Sequence, residues 1–272
     1  MLSPASLAQK QLAVVKDDRI SECSGLAISR QHDNAVWMHN DSGGQPRLFL
    51  VDFDGNTRSV CHIEKAKAVD WEDMCSFEVD GEPWLLIADV GDNDAKRSRK
   101  KNPCTLYLLH EPTSSKRSQA AEYDIRLQID YEDGPHNCEG VAVDTERKEI
   151  LLVSKESPLT AALYRLPLDL QDGKQQRTAT RVGSFPVPFA TALDIAPDGQ
   201  SLLAVNMWHG VLIRRKAEQS WKDALSSHAK QVTLPKRRQG ESVCFSRDGQ
   251  SFFVNSETKR QPLWRLSTAR TK

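Results

Sequence analysis

Net charge is the first thing this chain lacks. Its 37 Lys and Arg balance 37 Asp and Glu over 272 residues, so no global field draws nucleic acid, and any charge effect is local. Long apolar runs are missing as well. The longest, such as Leu85-Leu86-Ile87-Ala88 and Ile150-Leu151-Leu152-Val153, extend over a few residues, far short of the roughly 20 that a membrane helix needs. Residues 1–20 hold no basic start followed by an apolar core, so no secretory signal is expected. A chain whose signal had been removed would read the same, which leaves cytoplasm and secretion both open. The six cysteines (Cys23, Cys61, Cys75, Cys104, Cys138, Cys244) form no CxxC pair, which argues against zinc and against a disulfide scaffold. No GxGxxG, P-loop or GxSxG occurs, and Asp70-Trp71-Glu72-Asp73 lacks the alternating oxygen ligands of an EF-hand. No basic stripe with interleaved aromatics suggests nucleic-acid binding. Helical periodicity is nearly absent, with residues 217–228 the one stretch that approaches it. What remains is a chain 39% hydrophobic with mean hydropathy −0.54, soluble yet long enough to bury a sizeable core.

Repeats set the architecture. Five segments share a polar residue, a small or polar one, then an alternating apolar strand: Cys23 to Ile28, Trp71 to Cys75, Cys138 to Val143, Ala190 to Ile195 and Gly240 to Phe245. Three lead into Asp-Gly turns (Asp80-Gly81, Asp198-Gly199, Asp248-Gly249). A more apolar second strand follows each, and third strands are readable at Arg47 to Val51, Thr105 to Leu109, Ala162 to Leu166, Val211 to Arg214 and Pro262 to Leu266. The aligned polar positions 24, 72, 139, 191 and 241 are spaced by 48, 67, 52 and 50 residues, and by 55 through the chain ends. A period near 50 with about four short strands per unit is the signature of a β-propeller. The chain therefore reads as one all-β domain spanning residues 1–272, a propeller of five blades. Six is the alternative if residues 94–136, in the longest interval, hide another. The last repeat lacks a fourth strand, which Gln11 to Val15 can supply, pairing with Pro262 to Leu266 and closing the ring.

Propeller geometry brings the starts of the inner strands to one mouth of the axial channel. Those positions are Ser24, Glu72, Glu139, Thr191 and Glu241, one per blade. Three carboxylates near a common axis repel unless compensated. A divalent cation is the simplest remedy, and Ca²⁺ suits an all-oxygen set, whereas zinc would want His or Cys. The other reading is that each side chain hydrogen-bonds to neighbouring backbone.

The order Ser, Glu, Glu, Thr, Glu resembles the calcium-activated nucleotidase (soluble apyrase) family, five-bladed propellers that hold a central Ca²⁺ with Ser, Glu, Glu, Ser and Glu. Asn40-Asp41-Ser42-Gly43 resembles that family's Asp-Asp-Arg-Thr-Gly loop, Asp70-Trp71-Glu72 its Ala-Glu-Trp, His136-Asn137-Cys138-Glu139 its His-Glu-Ser, and Gly240-Glu241 its Tyr-Glu-Gly. The likeness implies calcium at the ring and hydrolysis of nucleoside di- and triphosphates. Ser42 stands where the family has Arg, and no counterparts of its other phosphate-contacting residues are present, so calcium carries over more safely than the activity.

A second polar ring lies at the ends of the second strands: Asp41, Asp89, Asp92, Lys155, Glu156, Asn206, His209, Asn255 and Glu257. A cation below it could activate a water while a carboxylate takes the proton. Asp41 is the first candidate for that base, followed by Asp89 and Asp92. Lys155, Asn206, His209, Asn255 and Glu257 are candidate substrate contacts, although Asn-Asp-Ser-Gly and Gly-Asp-Asn also read as ordinary turns. Two basic loops, Lys96 to Lys101 and Lys236 to Arg238, belong to the same face and would meet an anionic small molecule. Three readings follow: a calcium-dependent hydrolase of a phosphorylated or anionic small molecule, a non-enzymatic propeller binding a protein or glycan around a structural cation, or a lactonase- or phytase-like propeller enzyme.

Overall fold

A computed structural model describes residues 7–113, 116–155, 158–226 and 229–270. The chain opens with β1 (Leu7–Val14) and then makes a first antiparallel meander of β2 (Cys23–Ile28), β3 (Ala35–Asn40), β4 (Arg47–Asp52) and β5 (Thr57–Glu64). The second contains β6 (Trp71–Val79), β7 (Glu82–Asp89) and β8 (Cys104–His110), then makes a detour through β9 (Ser118–Glu122) before its fourth strand β10 (Ile125–Tyr131). The third is β11 (Cys138–Asp144), β12 (Glu149–Ser154), β13 (Ala161–Pro167) and the long β14 (Gly173–Phe185). The fourth is β15 (Ala192–Ile195), β16 (Ser201–Val205), β17 (His209–Arg214) and, after α1 (Trp221–Leu225), β18 (Lys230–Thr233). The last is β19 (Ser242–Phe245), β20 (Ser251–Asn255) and β21 (Pro262–Arg270), completed by β1.

These meanders are propeller blades. Their inner strands touch in the order β2, β6, β11, β15, β19 and back to β2. As the open edge of the last repeat requires, β1 pairs antiparallel with β21, with Gln11 opposite Trp264 and Val14 opposite Pro262. Among the described residues of 94–136 there is no separate four-stranded sheet. They supply a loop, β8 and β10, and the extra strand β9, which pairs in parallel with the outer edge of β5. The first half of β14 likewise runs parallel to β10 before it joins β13, so the second and third blades form one continuous sheet.

The apolar runs of the second strands follow from this packing. A blade is buried on both faces, so alternate residues of one strand enter different interfaces. In β7, Leu85 and Ile87 pack toward the first blade while Leu86 and Ala88 pack toward the third. In β16, Leu202 and Ala204 face the third blade, and Leu203 and Val205 the fifth. Each leucine, isoleucine or valine among them contributes about 1.5–3 kcal/mol when fully buried. All six cysteines are buried within this core, and none is in a disulfide. At Asp80-Gly81 both residues take positive φ (54° and 82°), the backbone of a tight hairpin turn. The helix is shorter than the sequence suggested, beginning after an N-cap at Ser220. Among the described residues no helix is long and apolar enough to cross a membrane.

Candidate functional site at the channel mouth

Local backbone irregularity places the ring residues. Register shifts in the first three blades fall at Cys23/Gly25, Trp71/Asp73 and Cys138/Gly140, which makes Ser24, Glu72 and Glu139 the bulged residues. Thr191 and Glu241 immediately precede β15 and β19. All five are buried, but they do not form one symmetric cage. The Ser24 hydroxyl donates to the Glu72 carbonyl, and Thr191 Oγ1 donates to the Gly240 carbonyl at 3.0 Å. Both hydroxyls thus tie one inner strand to the next.

The three glutamates divide into two groups. Lys155 Nζ donates to Glu139 Oε2 at 2.9 Å and lies 4.0 Å from Glu241 Oε2, and these carboxylates hold its pKa above the usual lysine value despite its burial. Asn137 Nδ2 adds a 2.8 Å bond to Glu139 Oε1. On the other side, carboxyl oxygens of Asp41, Asp70 and Glu72 lie within 4.8 Å of one another. Burial, then the charges of Glu139, Asp41 and Asp70, push Glu72 well above the usual carboxylate range. Burial and Asp41 push Asp70 up to about 6, and burial with Glu139 raises Asp41. Gly91 lies against this cluster, since a Cβ there would overlap the Glu72 and Asp70 carboxyl groups.

The second ring is largely committed to holding loops. Asp89 is buried, accepts from Asp70 N at 3.0 Å and pairs with Arg97 at 2.8 Å. Asp92 accepts from the backbone N–H groups of Lys96 and Arg97 at 2.8 and 2.9 Å. Asn206 donates to Pro188 O and accepts from Trp208 N and His209 N, while Asn255 donates to Pro262 O. His209 opens β17 and burial lowers its pKa. Glu257 accepts from Gln239 Nε2 at 2.6 Å and is pushed up to about 7 by burial and Glu241. Glu156 lies outside the described residues. The basic loops are less free than their sequence implies. The Arg97 side chain is 7% exposed and also donates to the carbonyls of Gly91, Asn102 and Pro103, and Arg237 donates to those of Asn206 and Asn255.

Sequence reasoning did not assign Asp70, which precedes the ring position Glu72 by two residues, nor Asp73 and Asp194. Asp73 Oδ2 accepts from Val141 N and Leu193 N, one in each of the next two blades, at 3.0 and 3.1 Å. Asp194 Oδ2 accepts from Phe245 N at 2.6 Å. Both are buried, and burial raises both, Asp194 to about 7. Their signal was a carboxylate at inner-strand positions that are small in the other blades: Gly25, Gly140, Ala192 and Ser242 for Asp73, and Ala27, Cys75, Ala142 and Cys244 for Asp194.

No protein-family model matches the chain, and no curated protein matches it. Solved structures do match. A crystal structure of a nidogen/laminin complex is similar over 87% of this chain and 73% of that one, at 11% identity and TM-score 0.51. Kuenenia stuttgartiensis hydrazine synthase matches over 90% of this chain and 58% of that one (13% identity, TM-score 0.45), and a Dos1 propeller over 92% and 68% (9% identity, TM-score 0.43). At these identities the likeness concerns the fold alone, and the fold is a β-propeller.

Proposed function

We propose that this propeller binds a divalent cation, calcium by its all-oxygen donors, in the carboxylate half of its mouth, and acts there on a small anionic molecule. The observation that carries the reading is the Asp41, Asp70 and Glu72 cluster. The neighbouring charges that act most strongly on its buried member, Glu72, are all negative. Such a group requires a proton or a cation, and its oxygens suit Ca²⁺. Asp70 and Glu72 would hold the ion, with Asp41 beside it, while Lys155 neutralises Glu139 and Glu241. This displaces the expected five-residue cage toward the first two blades.

A bound cation of this kind supplies charge stabilisation and lowers the pKa of water. Asp41, part-exposed and raised by burial, is the chain's acceptor for a proton. Lys100 and Lys101 are exposed on the same face, where they favour an anion. The nucleotidase resemblance makes nucleoside diphosphates the first substrates to try, with sugar phosphates, phytate and lactones beside them. The test is calorimetric titration of Ca²⁺ followed by that panel. Saturable calcium binding that Asp70→Asn weakens at least tenfold is the expected result. Absence of calcium binding at neutral pH would overturn the reading. A second reading, a propeller that binds a protein or glycan, is favoured by exposed Trp208 (62%) and Phe189 (39%) beside the Asn206 turn. Calcium binding without turnover of any panel member would favour it.

A further inference from the structure

Beside the axial carboxylates, the loop between β7 and β8 and the end of β10 line an open cavity of ≈ 400 Å³, within the roughly 300–1,000 Å³ of small-molecule sites. Its apolar lining includes Cys104, Ile129 and Tyr131. Tyr131 and His136 meet edge to face with ring centroids 5.3 Å apart, and His136 is fixed by Asp133 Oδ1 and Tyr164 Oη, each 2.8 Å from its Nε2. The charged lining comprises Arg97, Arg99 and Lys100 against Asp92 and Asp130. Asp92 is spent on the loop's own N–H groups, and Asp130 pairs with Arg99 at 2.6 Å. Lys100 is exposed at the edge. The cavity also connects to the axial cluster. Asn137 Oδ1 accepts from Asp92 N at 2.7 Å while its Nδ2 reaches Glu139, and Gly91, next to Asp92, borders Glu72 and Asp70.

We infer that this cavity is a binding subsite for the aromatic body of a small aryl anion, whose charged group faces Lys100 and the channel mouth. The aromatic wall suits edge-to-face packing of a flat ring, and Lys100 at its edge favours an anion over its neutral parent, Arg97 and Arg99 being paired with Asp89 and Asp130. The inference deepens the proposed function by naming the substrate class of the same mouth. It can fail independently, because the cavity is formed by the chain and needs no cation.

α-Naphthyl phosphate titrated into the intact protein in EDTA, followed calorimetrically, tests the subsite with the cation removed. Single-site binding is expected, weakened roughly three- to tenfold by Lys100→Glu, the size of change an exposed charge contact supports. Ser98→Trp, on an exposed lining residue, is expected to weaken binding at least tenfold, with folding checked by circular dichroism. Neutral α-naphthol is expected to bind at least threefold more weakly than the phosphate. No saturable binding to the wild type, or equal binding by wild type, Ser98→Trp and Lys100→Glu, would overturn the subsite. Loss of calcium binding in Asp70→Asn with unchanged naphthyl phosphate binding in EDTA would keep the two sites separate.

Discussion

Glu72 occupies the least favourable electrostatic position at the mouth, buried with Glu139, Asp41 and Asp70 around it. Glu72→Gln keeps the shape and removes one charge from that group. The melting temperature of the metal-free protein should therefore hold or rise, while any increase on adding calcium should disappear, since a ligand stabilises only the state that binds it. Paired thermal melts with EDTA and with excess Ca²⁺ check this, and a calcium-dependent increase that survives in the variant contradicts it. The same residues set a pH dependence. Asp70 is raised to about 6, and Asp194 and Glu257 to about 7, all above their unfolded values. Such groups add stability that is present below the unfolded pKa and lost as pH rises through the folded one. Metal-free protein should thus melt higher near pH 5 than near pH 7. Calcium affinity should move the opposite way, falling toward pH 5 as protons compete for Asp70, which calorimetry at both values measures. The repeat alignment located Glu72 because it compares positions. It could not show that the Lys155 ammonium turns toward Glu139 and Glu241, or that Asp70 completes the other half, since side-chain direction depends on neighbouring blades.

At the scale of elements, the loop from β7 to β8 looks in sequence like a solvated basic run, yet its shape depends on one buried guanidinium. Arg97 joins Asp89 and three carbonyls. Burial raises the Asp89 carboxyl despite that partner, so the pair matters chiefly through the cost of breaking it. Arg97→Ala should destabilise the fold by about 3–5 kcal/mol, as removal of one partner of a buried ion pair does, and should reduce naphthyl phosphate binding by collapsing the loop. Urea unfolding measures the first effect, and a loss below ~1 kcal/mol would contradict it. The strands themselves were legible because apolar runs bounded by turn residues leave few alternatives, and β4, β8, β13, β17 and β21 all cover the expected segments. The strand β9 was not. Its sequence Ser118-Gln119-Ala120-Ala121-Glu122 has a weak strand pattern, and its partners in β5 lie 58 residues earlier in the chain (Val60 opposite Ser118), a pairing that local periodicity cannot report.

For the whole molecule, the decisive contact is β1 on β21. Deleting residues 1–14 should expose the outer edge of β21 and part of the core around Leu7, Phe252 and Val254. The expected result is a broadened melt, lower by more than 10 °C, with aggregation on size-exclusion chromatography; for domains of this size each kcal/mol lost shifts the midpoint by roughly 2–4 °C. A sharp, unshifted transition would mean that closure contributes little. The parallel pairing of β9 with β5 and of β14 with β10 has a different consequence, for self-association. A strand edge with unsatisfied backbone groups recruits other chains, and these pairings cover the outer edges of the first three blades. Among the described residues, β9, β18 and β1 have no further strand beyond them, and β9 is only five residues long. β18 is four residues long with Lys230 at its start, and β1 carries Lys10, short length and positive charge both discouraging strand addition. Filament growth from this protein should begin on β1, the longest of these edges, and replacing Lys10 with Val should accelerate it.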